Sequence, residues 1–214
     1  FYDPLVIIDE DNRAKPNLAE SITPNADFTQ WDIKARAGIT FHDGDPLTGV
    51  WLNEWLTITR AALITGPGLA TVESSEVIDP LTVRIKMKEP WSAFPYALSS
   101  QGGYLPSPKS VRSGAAEAHP VGTGAFLFKD WVPGKQLHVE RNPSYWRAGM
   151  PYLDAVDFLP VADTQARISS LKTGDIDLML TYLAEPAAQL AEEAQAGKIQ
   201  LVHSQGDQDA TMVM

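Results

Sequence analysis

The sequence predicts a mixed α/β fold, and three observations carry the prediction. Apolar residues recur at every second position in several separate stretches, the period of a strand. Between those stretches lie others with apolar residues at helical spacing, and pairs of Gly, Pro and Asn mark the joints. The clearest two-residue period is a hairpin at 125–141. Phe126 and Phe128 share one face of its first arm, Pro133-Gly134 supplies the reversal, and Leu137 and Val139 share a face of the return arm. Gly122 and Gly124 open it with a turn, and Asn142-Pro143 ends it because proline has no N–H to give to a ladder.

In chain order, Phe1-Tyr2-Asp3-Pro4-Leu5-Val6 reads as a turn into a short buried strand at Ile7-Ile8. Pro16 is expected in the first turn of a short helix. Residues 31–36 alternate as a strand, with Trp31, Ile33 and Ala35 on one face and Gly38 as the stop. Thr48 is expected to N-cap a helix over 50–63 whose stripe is Leu52, Leu56, Thr59 and Leu63. After the loop at Thr65-Gly66-Pro67-Gly68, residues 81–87 alternate again with Val83, Ile85 and Met87 on one face. A short helix over 91–98 leads to a polar loop, Ser99 to Tyr104. Beyond the hairpin, a strand at 155–161 precedes a helix over 164–172 with Ile168 and Leu171 on its buried side. Gly174 fits the left-handed position that stops such a helix. A buried strand at 176–180, a helix over 186–196, a strand at 198–202 and an apolar run from Thr211 complete the chain.

With 214 residues the chain can bury a real core as one large or two small domains. Lys and Arg number 17 against 27 Asp and Glu, a formal charge of -10, which argues against a nucleic-acid surface. There is no cysteine, so disulfides, thiolate catalysis and Cys-ligated zinc are excluded. No apolar run reaches the length of a membrane span. The chain opens on Phe1 without a charged-then-apolar leader, and it is expected to be part of a longer or processed product.

The side chains that could carry chemistry point to none. His42, His119, His138 and His203 have no HxxxH or HExxH spacing, so no metal site is expected. His42 is expected to bond within its own turn, and His138 to face solvent. A nucleophile elbow is absent, and the pairs Asp43/Asp45 and Asp175/Asp177 sit beside turn residues, so no catalytic residue is assigned. Trp31, Trp55 and Trp131 lie in periodic apolar patterns and are expected in the core.

The order of the motifs resembles the solute-binding proteins of ABC importers, family 5, which carry dipeptides, oligopeptides, nickel complexes and related solutes. That family has a YDPLV segment and a "P-x-LAES" phrase, matched here by Tyr2 to Val6 and by Pro16-Asn17-Leu18-Ala19-Glu20-Ser21. Its "W-x-F-x-L-R-x-G-V-x-F-H-D-G-x-P-L-T" is matched by a residue of the same type at almost every position from Trp31 to Thr48, although the acidic "A-E-D-V" at the next helix start is replaced by Gly49-Val50-Trp51-Leu52. "VGTGPY" corresponds to Val121 to Phe126, "ERNPDYW" to Glu140 to Trp146, and "L-x-x-G-E-I-D" to Leu171 through Asp177.

The resemblance implies one lobe of a class II, peptide-binding type periplasmic-binding-protein clamshell. It implies a sheet-bearing part at 1–13 and 118–214, and an α+β subdomain inserted at 14–117. It further implies capture of a peptide or other small solute, in the periplasm or outside the cell, by hinge closure against a second lobe of the same protein that this sequence does not contain. The full-length protein, with or without a lipid anchor, would deliver that solute to an ABC permease. A sensory or interaction module and a periplasmic enzyme on the same fold are the alternative readings. No cofactor is implied. The ligand would lie in the crevice between lobes, which favours loops at strand ends. The candidates are the loop Ser100, Gln101, Gly102, Gly103 and Tyr104, and the strand end Thr181 and Tyr182. A single lobe encloses nothing, so weak binding is expected of these residues by themselves.

Overall fold

Leu5 and Val6 are drawn fully into the core while Ile7 and Ile8 stay about one-third exposed, so the first strand, β1 (Val6–Ile8), is buried only at its start. It pairs antiparallel with β2 (Ala14–Pro16), Val6 opposite Pro16. Pro16 therefore closes a two-stranded edge, where a missing N–H is tolerated, and opens no helix. These and the elements below come from a computed structural model that describes residues 1–181, 183–203 and 210–213.

The alternating segments that follow form β3 (Ala19–Pro24) and β4 (Gln30–Ala35), then α1 (Gly49–Ala61), β5 (Val72–Asp79) and β6 (Thr82–Met87). The four strands make an antiparallel sheet in the order β3-β4-β6-β5. Trp31 is opposite Ile85 and Ile33 opposite Val83, so the two apolar alternations fall in register on one face. Trp51, Leu52 and Leu56 of α1 join the same core. Thr48 caps α1 by accepting from the Trp51 N–H at 3.2 Å. The helix stops at Ala61, short of Leu63, because the chain doubles back. The Thr65 hydroxyl bonds the Thr59 carbonyl at 2.6 Å, and Arg60 turns to the carbonyls of Val72 and Glu73. Leu63 is left 93% exposed in that reversal.

The helix expected over 91–98 shrinks to α2 (Phe94–Ala97), anchored by the fully buried Phe94. A further short helix, α3 (Pro108–Arg112), had no signal beyond its Pro and is capped by Ser107, which accepts from the Ser110 N–H at 3.2 Å. The hairpin is β7 (Phe126–Val132) and β8 (Gln136–Arg141), with Gly134 in the left-handed region at the turn. β9 (Ala155–Phe158) adds to it in the order β7-β8-β9. Trp131 is 52% exposed on this sheet and does not enter the core. His138 is half-covered, its Nδ1–H 2.6 Å from Asp157 Oδ1.

Backbone proximity divides the chain into two units, Phe1–Val132 with Leu137–Asp157, and Pro133–Gln136 with Phe158–Met214. In the second, α4 (Thr164–Thr173) is capped by Asp163 and stopped by Gly174 at φ 79°. It is followed by β10 (Leu178–Thr181), α5 (Ala184–Gln189), α6 (Ala191–Gln195), β11 (Gln200–His203) and β12 (Ala210–Val213). The strands pair antiparallel in the order β10-β12-β11, so the apolar run near the end of the sequence supplies the central strand. Ile168, Leu171, Met179, Leu190 and Ile199 form the core of this unit. The single helix expected over 186–196 is two short pieces that meet at the fully buried Leu190. Among the described residues, no helix is long and apolar enough to cross a membrane.

Candidate functional site

The loop at 100–104 is held by the turn before it and by the first strand. Phe94 and Leu98 anchor its entry, both fully buried. The Ser99 hydroxyl donates to the Tyr96 carbonyl at 2.8 Å, and the Gly103 N–H donates to the Ser100 carbonyl at 2.8 Å. Leu5 N–H then donates to the Gly103 carbonyl at 2.9 Å, and Tyr104 forms a bridge with Pro4. Gly103 passes so close to this turn that a Cβ on it would lie 1.7 Å from the Leu98 carbonyl oxygen. A Cβ on Gly102 would meet the Ala97 carbonyl oxygen at 3.1 Å, beside the Leu69 side chain. Both glycines are buried by this packing, whereas Ser100, Gln101 and Tyr104 reach the surface. The loop thus presents a hydroxyl, a carboxamide and a phenol: neutral donors and acceptors on a fixed backbone.

Thr181 ends β10 in the second unit and is 2% exposed. Its hydroxyl accepts from the Leu183 N–H at 3.2 Å, closing the turn into α5. Tyr182 lies outside the described residues. Among the described residues, no group of three His, Asp or Glu side chains could hold a metal ion.

Several residues outside the candidate set tie the first unit together. Asp3 accepts from the Tyr145 hydroxyl at 3.1 Å and from the Trp146 indole N–H at 2.8 Å. Burial, with the Asp3 charge behind it, pushes the Tyr145 phenol up to about 12. Arg147 and Arg36 both lie over the Trp146 ring, 4.8 and 5.5 Å from its centroid. Arg147 also donates to the Asn17 side-chain oxygen, Arg36 donates to the Asn17 carbonyl at 2.6 Å, and Asn17 donates to the Pro4 carbonyl at 2.8 Å. The segments at 2–6, 16–21, 31–48 and 140–147 therefore meet at one place. No spacing rule could have found this clasp, because its members are far apart in sequence.

His42 likewise bonds far from its own turn. Its Nε2 lies 2.9 Å from the Gly124 carbonyl oxygen, and its Nδ1 accepts from the Gly122 N–H at 3.4 Å. Its neighbour Asp43 accepts from the Ser107 hydroxyl. Burial holds the His42 ring below the usual imidazole range.

This architecture is that of one lobe of a class II periplasmic binding protein. The agropinic acid complex of AgaA from A. tumefaciens superposes with a TM-score of 0.84 at 26% identity, over 94% of this chain and 41% of that one. The oligopeptide-binding protein AppA of Bacillus subtilis, solved with a nonapeptide, superposes at 0.79 with 27% identity, over 94% and 41%. The chain belongs to the bacterial extracellular solute-binding proteins, family 5, whose middle-region description matches residues 13–213. Those proteins bind solutes. The glutathione-binding protein GsiB of Shigella flexneri is 32% identical over 197 residues. This chain spans 38% of that relative's length, and the relative covers 89% of this chain.

Proposed function

We propose that the protein is the solute-binding component of an ABC import system, working in the periplasm or outside the cell and passing its ligand to a membrane permease. The observation that carries the reading is the family match across residues 13–213, on a fold shared with solved binding proteins. The ligand class is a peptide or a peptide-like small solute. The relatives named above bind glutathione, a nonapeptide and agropinic acid. Neutral hydrogen-bonding groups on a fixed loop suit such ligands, because a peptide backbone offers one donor and one acceptor per residue.

In this reading Ser100, Gln101 and Tyr104 contribute ligand contacts from a loop that the buried Gly102 and Gly103 fix in place, and Thr181 and Tyr182 are the second candidate pair, Thr181 acting through the turn it closes. The lobe is made of a part at 1–13 and 118–214 carrying an insertion at 14–117. A second lobe of the same protein supplies the opposing surface, in keeping with the 38% of a relative's length that this chain spans. The test is native mass spectrometry of the full-length protein, purified without denaturation. A stoichiometric peptide-class ligand supports the proposal, and a covalent turnover product or a nucleic acid in its place contradicts it.

A further inference from the structure

We propose that His42 is an acid-released latch: its neutral ring holds the turn at Gly122 to Gly124 in place, and gaining a proton lets that turn go. This goes beyond the binding reading and does not depend on it.

The geometry requires one particular charge state. The Nε2–H donates to the Gly124 carbonyl at 2.9 Å, while Nδ1 has to be bare to accept from the Gly122 N–H. A protonated imidazole has a donor on both nitrogens and no acceptor. The Gly122 N–H would then face an N–H, and a buried backbone donor would lose its partner.

What the ring holds is a junction of three segments. The His42 N–H donates to the Gly122 carbonyl at 2.8 Å, so backbone and ring grip the same turn. The Gly124 N–H donates to the Phe1 carbonyl at 2.8 Å, and the Ser107 N–H donates to the Val121 carbonyl at 2.8 Å. The two glycines are the seat of the latch. A Cβ on Gly122 would lie 2.3 Å from the Phe1 carbonyl oxygen, and one on Gly124 2.6 Å from it. Between them, the Thr123 hydroxyl is buried with no hydrogen-bond partner among the described residues. Opening the turn lets water reach that hydroxyl, which lowers the cost of release.

The charged groups that face the ring are Asp3 and Asp43. Desolvation is the largest influence and opposes the proton; the bond to the Gly124 carbonyl and the two carboxylates favour it but are outweighed, leaving the ring below the ordinary 6.5. The sign follows. With the folded value depressed, the latch contributes its full stability above 6.5 and loses it as pH falls through the folded value. His138 is the internal contrast, because its hydrogen bond to Asp157 raises its value above 6.5.

The test is an NMR titration of the chain that follows the His42 and His138 rings together with amide exchange at Gly122. The expected result is that His42 titrates below 6.5 and His138 above it. Corrected for intrinsic rate, protection of the Gly122 amide should fall by up to about tenfold per pH unit between 6.5 and the His42 midpoint and level off below that midpoint, while the β4–β6 ladder stays protected. His42→Gln keeps a donor and an acceptor without a titrating group, and should abolish the acid step. Should that variant not fold, the wild-type titration decides. His42 titrating at or above 6.5, or Gly122 staying protected after His42 has gained its proton, overturns the proposal.

Discussion

Gly103 shows how one atom decides a loop. With a Leu98 carbonyl oxygen 1.7 Å from where its Cβ would stand, any side chain has to move backbone. Gly103→Ala is therefore expected to destabilise the chain by about 1–3 kcal/mol, read as a lower urea midpoint at unchanged slope. Trp146 is tested differently. Trp146→Phe keeps a ring beneath Arg36 and Arg147 but takes the indole N–H from Asp3. That loss should cost about 1 kcal/mol, toward the lower end for a group still partly open to water. A circular-dichroism melt of the variant beside the parent chain would check it. Much at this scale was illegible in the sequence. Ser100 to Tyr104 could be marked as a polar loop, but nothing in their order shows that Gly102 and Gly103 are closed in by packing. The sequence puts His42 in its turn but not beside its partners, because Gly122 and Gly124 reach it only through the fold.

At the scale of elements, periodicity and caps carried most of the information. Thr48 in front of an apolar stripe identified α1, and the cap bond is present at 3.2 Å. Thr48→Ala should lower stability by about 1 kcal/mol, measured by denaturant titration against Thr57→Ala as the exposed control. The alternations at 31–35 and 83–87 were legible because both faces of an antiparallel pair obey the same two-residue rule, and they fall into register as Trp31 opposite Ile85. Local rules failed where tertiary contacts overrode them. Pro16 suits a helix start, yet pairing with Val6 makes it the end of an edge strand. Leu63 continues the stripe of α1, yet the reversal held by Thr65 and Arg60 ends the helix first. Trp131 alternates like a core residue but sits on a three-stranded sheet with that face open.

At the scale of the whole molecule, composition and motif order each did a separate task. The surplus of acidic residues set aside a nucleic-acid surface, and the ordered motifs led to the family. Neither indicated why those motifs matter, and for four of them the structure answers: with Arg147 just beyond the last, they build the clasp of Asp3, Asn17, Arg36 and Trp146. The motif residues in the clasp thus serve to hold the first unit together, and under the proposed function ligand choice would fall to loops such as 100–104 and to the second lobe. Affinity in a hinged binder comes from enclosure by both lobes, each supplying part of the contact. The most direct measurement is calorimetry with the solute released from the full-length protein, titrated into that protein and into the 214-residue chain in parallel. The account predicts tight binding by the first and, for the second, binding at least about a hundredfold weaker, a loss near 2.7 kcal/mol. Equal affinity in the two titrations would contradict it.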